Sequence, residues 1–494
     1  MYVLQPPKSE KKTLLECLLA WNPNSIITKD SKTTKMCVTN TTTRTSKEVK
    51  TNYEYYDIVI VGAGVAGASA AYHLQKACAG TTNNPRILIV EAGPAAGVGI
   101  APRNSGTATM NAAGSIKMMV QIFAGGCGDF VRHHGEEGAQ RYLRATQEGL
   151  LLQKKVAQEM WDTSTDDHMK ELGSYYVGYA QDRNELKREF DLLRSWKCCE
   201  DIEWCDSPER LASVPGWAED TFDCAIYFPR DAVIDSSLYT QCLLQHVLDN
   251  GIGNFNGRPA VTFWPNTKVK QVIDGDSQRF AQLELQSGKI ITARHVVMAT
   301  GGLNPIPQLE GILKPCYSYL VHVPVSQSNR DSSNDIVDSP NFFTWGFSHD
   351  WCFTRGKVRC SGEDHFSALK PPHCQERCHN LTNWTLQVYN NKHQGDEAEE
   401  KKEPEEELFD TTSVPQQYGI YSETPDMAPL VGHLRPNSRV CYLVGCNAWG
   451  QTILSYCSSL IPGLLEYTKL EETQRDALRL VSVRRFTQLS AYSK

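Results

Sequence analysis

Asp57-Ile58-Val59-Ile60-Val61-Gly62-Ala63-Gly64-Val65-Ala66-Gly67 is the stretch that decides how this chain folds. Asp57 opens a run of β-branched residues, three glycines follow in a G-x-G-x-x-G spacing, and Ala68-Ser69-Ala70-Ala71-Tyr72-His73-Leu74 continues as a helix. The order strand, glycine turn, helix is a dinucleotide-binding order. Gly62 permits the tight turn, Gly64 lets backbone N–H groups approach a pyrophosphate, and Gly67 lets helix and strand pack closely. The positive end of the helix dipole then faces the phosphates. A second apolar strand, Arg86-Ile87-Leu88-Ile89-Val90, ends at Glu91, whose carboxylate is placed to accept hydrogen bonds from the adenosine ribose. A glycine turn with no ligand would need neither that strand nor that acid.

The residues beyond Glu91 separate one dinucleotide from another. A nicotinamide enzyme would run into another βα unit. Here Ala92-Gly93-Pro94 leads instead to Ala101-Pro102-Arg103-Asn104-Ser105-Gly106-Thr107-Ala108-Thr109-Met110-Asn111-Ala112-Ala113-Gly114, a loop of small and hydroxylated residues. Such a loop suits close backbone approach to a long, bent cofactor.

Composition bounds the remainder. With 50 Lys+Arg against 57 Asp+Glu the net charge is −7, which argues against a nucleic-acid binder that relies on bulk positive charge. A mean hydropathy of −0.41 over 494 residues points to a soluble chain of about two domains. The longest uncharged window, Cys441 to Leu465, is long enough to cross a bilayer but contains Asn447, Gln451 and Pro462, and reads as a buried strand, turn and helix. The 17 cysteines are odd in number, follow no repeating spacing, and no secretory signal peptide opens the chain. A reducing intracellular compartment is expected, either cytoplasm or an organelle matrix. The last residues, Ala491-Tyr492-Ser493-Lys494, are not the Ser-Lys-Leu peroxisomal address. Residues 1–52, rich in Thr, Lys and Ser, read as a disordered leader or an organelle-targeting peptide, and the Glu/Lys run within 395–410 reads as a solvated surface loop.

Placed in order, the motifs resemble the FAD-dependent oxidoreductases of the D-amino-acid oxidase superfamily, the group that includes glycine and sarcosine oxidases. Phe228-Pro229-Arg230-Asp231-Ala232-Val233-Ile234-Asp235, with the helical Ser236 to Leu248, resembles the segment leading back into the FAD domain. Thr267 to Val272 is similar to the adenine-side strand, where Val269 would meet adenine through its backbone. Ile290 to Met298 ends in Ala299-Thr300-Gly301-Gly302, similar to the second glycine signature. Phe353 to Arg359 and Ser361-Gly362-Glu363-Asp364-His365 look like a strand pair of the substrate domain. Thr424-Pro425-Asp426-Met427-Ala428-Pro429-Leu430-Val431-Gly432 is close to the TPDxxPxxG element, and Val444 to Thr452 is similar to the last strand-to-helix turn under the flavin. Together these cover about residues 55–470.

The resemblance implies an α/β fold with a Rossmann-like FAD-binding domain assembled from segments 53–135, 229–305 and 417–494, and an inserted α+β substrate domain from 136–228 and 306–416. It implies FAD contacts at Gly62, Gly64, Val65, Ala66 and Gly67, at Glu91 and Ala92, at Asn104, Ser105, Gly106 and Thr107, and at Val269. On the flavin side it implies Ala299, Thr300, Gly301, Gly445, Trp449, Gly450, Gln451 and Thr452. A helix starting near Gly450 would aim its N–H groups at the N1/O2 edge of the isoalloxazine, where negative charge develops on reduction.

By the same resemblance the reaction is removal of a hydride from a carbon bearing an amine, delivered to flavin N5, with dioxygen or another acceptor taking the electrons. The substrate is then an amine or amino-acid-like small molecule. The fold also admits a 2-hydroxy-acid dehydrogenase or a nonenzymatic FAD-binding protein. Two departures stand out. The position of the flavin-bonded Cys of sarcosine-type enzymes is Gly419 here, so FAD is expected to be noncovalent. The position of the carboxylate-binding Arg is Tyr421, which sets a simple free amino acid in question unless another cation substitutes. Substrate-side candidates are Lys117, as a carboxylate anchor, an oxygen-activating charge or a solvated lysine; Tyr319, which with Tyr317 alternates with Ser318 along a strand; His365, titrating near the flavin or held structurally; and Tyr421. His373-Cys374-Gln375-Glu376-Arg377-Cys378-His379 crowds its thiols and imidazoles more than structural zinc sites do, and reads as a helix start; no metal is expected. Cys198-Cys199 reads as a pair of reduced thiols.

Overall fold

The structure, a computed structural model, describes residues 54–79, 85–99, 107–108, 129–161, 169–214, 221–251, 260–302, 309–324, 340–344, 349–354, 357–366, 374–394 and 414–486. The leader, Asn104, Ser105, Gly106, Lys117 and the acidic stretch 395–410 lie outside the described residues.

From the first strand, β1 (Glu54–Val61), the chain passes through the glycine turn into α1 (Val65–Cys78) and β2 (Ile87–Val90). Next come β3 (Thr107–Ala108), the long α2 (Asp129–Met160), β4 (Met169–Lys170), β5 (Ser174–Gly178), α3 (Arg183–Ser195), β6 (Glu203–Cys205) and α4 (Pro208–Leu211). They are followed by β7 (Cys224–Phe228), β8 (Ala232–Ile234), α5 (Ser236–Asp249), β9 (Val261–Trp264), β10 (Val269–Ile273), β11 (Ala281–Leu285) and β12 (Ile290–Met298). The second half holds β13 (Lys314–Pro324), β14 (Asn341–Thr344), β15 (His349–Thr354), β16 (Lys357–Phe366), α6 (Cys374–Gln394) and β17 (Gln416–Glu423). It closes with β18 (Leu430–Gly432), β19 (Val440–Val444), α7 (Gly450–Ser459), α8 (Ile461–Leu464), α9 (Glu472–Val481) and a 3-10 turn, Val483–Arg485.

β1 is the middle of the first sheet, whose order is β10-β11-β12-β1-β2-β9, with β19 on the second half of β12 and β18 on β19. Its neighbours β12 and β2 run parallel to it. A strand covered on both faces has no use for polar alternation. Accordingly, Ile58 and Ile60 enter one core with Leu74 of α1, while Val59 and Val61 enter another with Leu283 and Val296. Each such aliphatic side chain contributes about 1.5–3 kcal/mol on full burial. A parallel sheet of this kind with helices against it is a Rossmann-like α/β arrangement.

The second sheet, β17-β13-β16-β15-β14-β5-β7-β6, carries β15 and β16 as an antiparallel pair. A small third sheet, β3-β8-β4, includes Thr107. The helix α2 breaks at Gly135, which has φ 69°, and beyond that point Tyr142, Leu143 and Leu150 join the core of Ile58 and Ile60. The uncharged window resolves into β19, a turn, α7 and α8, all largely buried. No described helix is long and apolar enough to cross a membrane. Cys199 is buried, and α6 begins at Cys374 within the Cys/His-rich stretch.

Contact between α2 and α7 is close because Gly149 has no side chain: a Cβ there would stand 2.1 Å from the Thr452 carbonyl oxygen. Alanine normally gains about 1 kcal/mol over glycine inside a helix. At Gly149 the sign is expected to reverse, so Gly149→Ala lowers the urea midpoint. A rise in that midpoint would show that α2 and α7 are not pressed together here.

Candidate functional site

The turn after β1 is set by close backbone approaches. Gly62 has φ 103°, and a Cβ on it would lie 2.3 Å from the Ala299 carbonyl oxygen; a Cβ on Gly67 would lie 1.9 Å from the Gly62 carbonyl oxygen. Gly62 N donates to Val90 O at 2.8 Å and Ala299 N to Val61 O at 2.9 Å, which sews the turn to β2 and to the end of β12. Gly64 differs, since a Cβ there meets nothing within 4 Å. It is the N-cap of α1, with no capping side chain and no acid in the first turn. The first-turn N–H groups of a helix have no acceptor of their own, so this end is open to an anion.

Glu91 stands beside that turn. Its Oε2 accepts from Ala63 N and its Oε1 from Gly93 N, both at 2.8 Å. The carboxylate is thereby fixed in place, and each oxygen keeps a further lone pair for a ribose hydroxyl. The adenine-side segment is tied to the same loop: Thr267 N donates to Glu91 O at 2.7 Å and Asn266 N to Gly93 O at 2.8 Å, just before Val269 opens β10.

A second opening lies at the start of α7. Gly445, Asn447 and Ala448 all have left-handed φ, and the turn they make is braced from β17. Asn447 N donates to Ser422 O at 3.0 Å, Thr424 N to Asn447 Oδ1 at 2.8 Å, and Ser422 Oγ to Gly301 O at 3.1 Å. Like α1, α7 begins with no capping side chain and no acid in its first turn. Gln451 Nε2 and Thr300 Oγ1 are buried and find no hydrogen-bond partner among the described residues. A Cβ on Gly301, at φ 63°, meets nothing within 4 Å. Two uncapped helix starts, orphaned polar atoms and open glycines fit a long cofactor with an anionic middle and a polar ring system. Residues 62–67, 91–92, 269, 299–301, 445 and 449–452 are those that could hold it.

The sequence candidates for the substrate side fall on two faces of the second sheet. Tyr317 and Tyr319 both stack on the His365 ring, with centroids 5.5 and 5.6 Å apart, and they share a core with Cys378 and Leu381 of α6. Arg377 of α6 sits over the Tyr319 ring at 5.6 Å. Burial pushes the Tyr319 hydroxyl up to about 12, while burial and then Arg377 lower the His365 imidazole. Tyr421 lies on the other face, opposite Cys316 rather than Tyr317 in register. Its hydroxyl donates to Asp364 Oδ2 at 3.0 Å, with Glu423 Oε1 at 3.2 Å. Burial, then Asp364, Cys316 and Glu423, raise its pKa well above the usual tyrosine range. Burial also raises the Glu423 carboxyl, the Tyr421 hydrogen bond opposing it and Asp364 reinforcing it. Tyr319 and His365 are therefore together under α6, and Tyr421 is separate from them.

Three contacts at the candidate site are not displayed by the sequence: Asp364 and Glu423 as partners of Tyr421, and Asn447 as the brace of the α7 turn. Glu423 directly precedes the Thr-Pro-Asp element, so its place is marked in the sequence. Asn447 is marked only by a left-handed backbone that sequence does not display.

Comparisons with known proteins bear on the family and the fold. A model of the family described as DAO, FAD dependent oxidoreductase, matches residues 57–461. Glycine oxidase from Geobacillus kaustophilus is similar in structure, with 16% identity, 87% of this chain and 99% of that one covered, and a TM-score of 0.65. L-proline dehydrogenase from P. horikoshii shows 15% identity, 88% and 99% coverage and a TM-score of 0.60. FAD-bound L-alpha-glycerophosphate oxidase from Mycoplasma pneumoniae shows 12% identity, 84% and 96% coverage and a TM-score of 0.59. At these identities the likeness concerns the fold. No curated protein matches the chain.

The two glycines of the first turn should separate experimentally. Gly64→Leu is expected to fold and to purify colourless, because its side chain fills space that no protein atom uses; Gly67→Leu is expected to lose the fold itself. Circular dichroism and the visible spectrum read both outcomes, and a yellow Gly64→Leu protein would refute the placement of the cofactor.

Proposed function

From the premise that the chain belongs to the DAO family of FAD-dependent oxidoreductases, we propose that it oxidises the C–N bond of an amine or amino-acid-like substrate. Bound FAD would supply the hydride acceptor and the route by which electrons reach dioxygen or another acceptor. The chain's own residues bind, orient and shield. Amide groups at Gly64–Gly67 would hold the pyrophosphate, Glu91 the ribose, and the start of α7 would stabilise negative charge on the ring edge. The product imine hydrolyses once it reaches water.

The observation that carries this reading is the uncapped start of α7 beside orphaned Gln451 Nε2. It supplies what a reduced flavin needs, and no acid in the first turn opposes it.

The surroundings of Tyr421 support the amine half of the proposal over a free amino acid. A guanidinium at this position would pair with a substrate carboxylate in bidentate fashion. Tyr421 instead holds its hydroxyl between two carboxyl groups, Asp364 and Glu423, which favour an ammonium and repel a carboxylate. Gly419 offers no thiol to the flavin, in keeping with noncovalent FAD.

Anaerobic mixing with panels of amines, amino acids and 2-hydroxy acids tests the proposal. Bleaching of the flavin band by amines is expected, with free amino acids slower by about tenfold or more, the cost of roughly 1.4 kcal/mol of repulsion. Bleaching by hydroxy acids alone would overturn it. Acid precipitation of the purified protein should release FAD into the supernatant, and a yellow pellet would disprove the noncovalent assignment.

A further inference from the structure

The turn that comes after β17 is held by a residue from the far end of the chain. Arg485, in the last 3-10 turn, uses all five of its N–H donors. Nε and Nη2 grip the two Asp426 carboxylate oxygens, the latter at 2.8 Å. Nη2 also donates to Ala428 O at 2.6 Å, and Nη1 donates to Pro429 O at 2.8 Å and Ser482 O at 3.0 Å. His134 Nε2 lies 2.8 Å from Asp426 O and 3.6 Å from Asp426 Oδ2. A bidentate, largely buried pair of this kind fixes geometry more firmly than an exposed one.

The clamped turn is continuous with the start of α7. Thr424 Oγ1 donates to Ala428 O at 2.9 Å, which closes the turn upon itself, and Thr424 N donates to Asn447 Oδ1 at 2.8 Å. Asn447 in turn donates through Nδ2 to Gly445 O at 2.8 Å. Met427, Asn447 and Ala448 all keep left-handed backbone, a conformation that non-glycine residues hold only when their surroundings impose it. Arg485, Asp426, Thr424 and Asn447 thus form an unbroken line of hydrogen bonds and backbone ending at the helix that begins with Gly450.

We propose that Arg485 is a positioning residue for the flavin: by locking the 424–429 turn it sets the aim of the α7 N-terminus and so tunes the electron affinity of bound FAD. The proposal rests on the reading of α7 as the neighbour of the flavin's N1/O2 edge, and not on any substrate.

Sulfite, which bleaches oxidised flavin without any amine substrate, is the probe, used on holoenzyme together with measurement of the two-electron reduction potential. Arg485→Met and Asp426→Asn are each expected to weaken sulfite binding about tenfold and to lower the potential by about 30 mV, the equivalent for a two-electron couple. Arg485→Lys, which keeps the charge but loses the fork, should fall between them and the unmodified enzyme. The double variant should be no worse than either single one, because both remove the same clamp. Arg484→Met serves as the control, since Arg484, next to Arg485 in the same 3-10 turn, donates through Nε to His433 O beyond β18 and outside the 424–429 turn, and it should leave both readouts unchanged. Wild-type sulfite affinity and potential in Arg485→Met, or an equal loss in Arg484→Met, would overturn the proposal. Should Arg485→Met not fold, the near-isosteric Asp426→Asn decides alone. Failure of every amine to react, with the sulfite pattern intact, would count against the substrate class and leave this inference standing.

Discussion

Around Gly62 three pieces of backbone meet more closely than any side chain would allow. The carbonyl of Ala299 presses on Gly62 from the end of β12, and the carbonyl of Gly62 in turn presses on Gly67 at the start of α1. These contacts join the first strand, the first helix and a strand from the middle of the chain at one point. The open space at Gly64 exists because the atoms on either side of it are fixed there. Were the turn wider, the first-turn N–H groups of α1 would no longer be held close together at that opening.

The same device recurs at the other end of the site. An uncapped helix start is ordinarily a small liability, about 1 kcal/mol for each cap forgone. Here α1 and α7 both forgo one, which leaves the first-turn N–H groups of each without an intrahelical acceptor. The two helices are held relative to each other through small residues: Ser458 near the end of α7 places its Oγ 3.1 Å from Ala66 O at the start of α1, and Gly149 lets α2 lie against Thr452. Packing, hydrogen bonding and charge all serve the separation between two positive ends.

Much of this was legible in the residues because it is encoded locally. The glycine turn, the paired apolar strands ending at Glu91, the strand at 290–298 and the helix at 236–249 are each written within a few consecutive residues. The illegible part depends on parity and distance. Tyr319, His365 and Tyr421 share a sheet, but a period of two decides which face each takes, and the irregular register of β13 against β16 between Tyr317 and Tyr319 shifts His365 beneath α6. The partner of Asp426 sits 59 residues away in a tail without any motif of its own. Neither relation can be read from a spacing.

The central strand has a history as well as a position. β1 is hydrogen-bonded along its length to β12, and β12 to β19, so neighbours in space are separated by long stretches of chain, nearly half of it between β1 and β12. Synthesis at about 5–20 residues per second delivers β12 roughly 10–45 s after β1 has left the ribosome. During that interval an uninterrupted β-branched strand waits with one edge unpaired, the condition that invites wrong partners. A nascent chain of this architecture therefore carries an open strand edge until β12 is made, and β19 and the start of α7 follow later still.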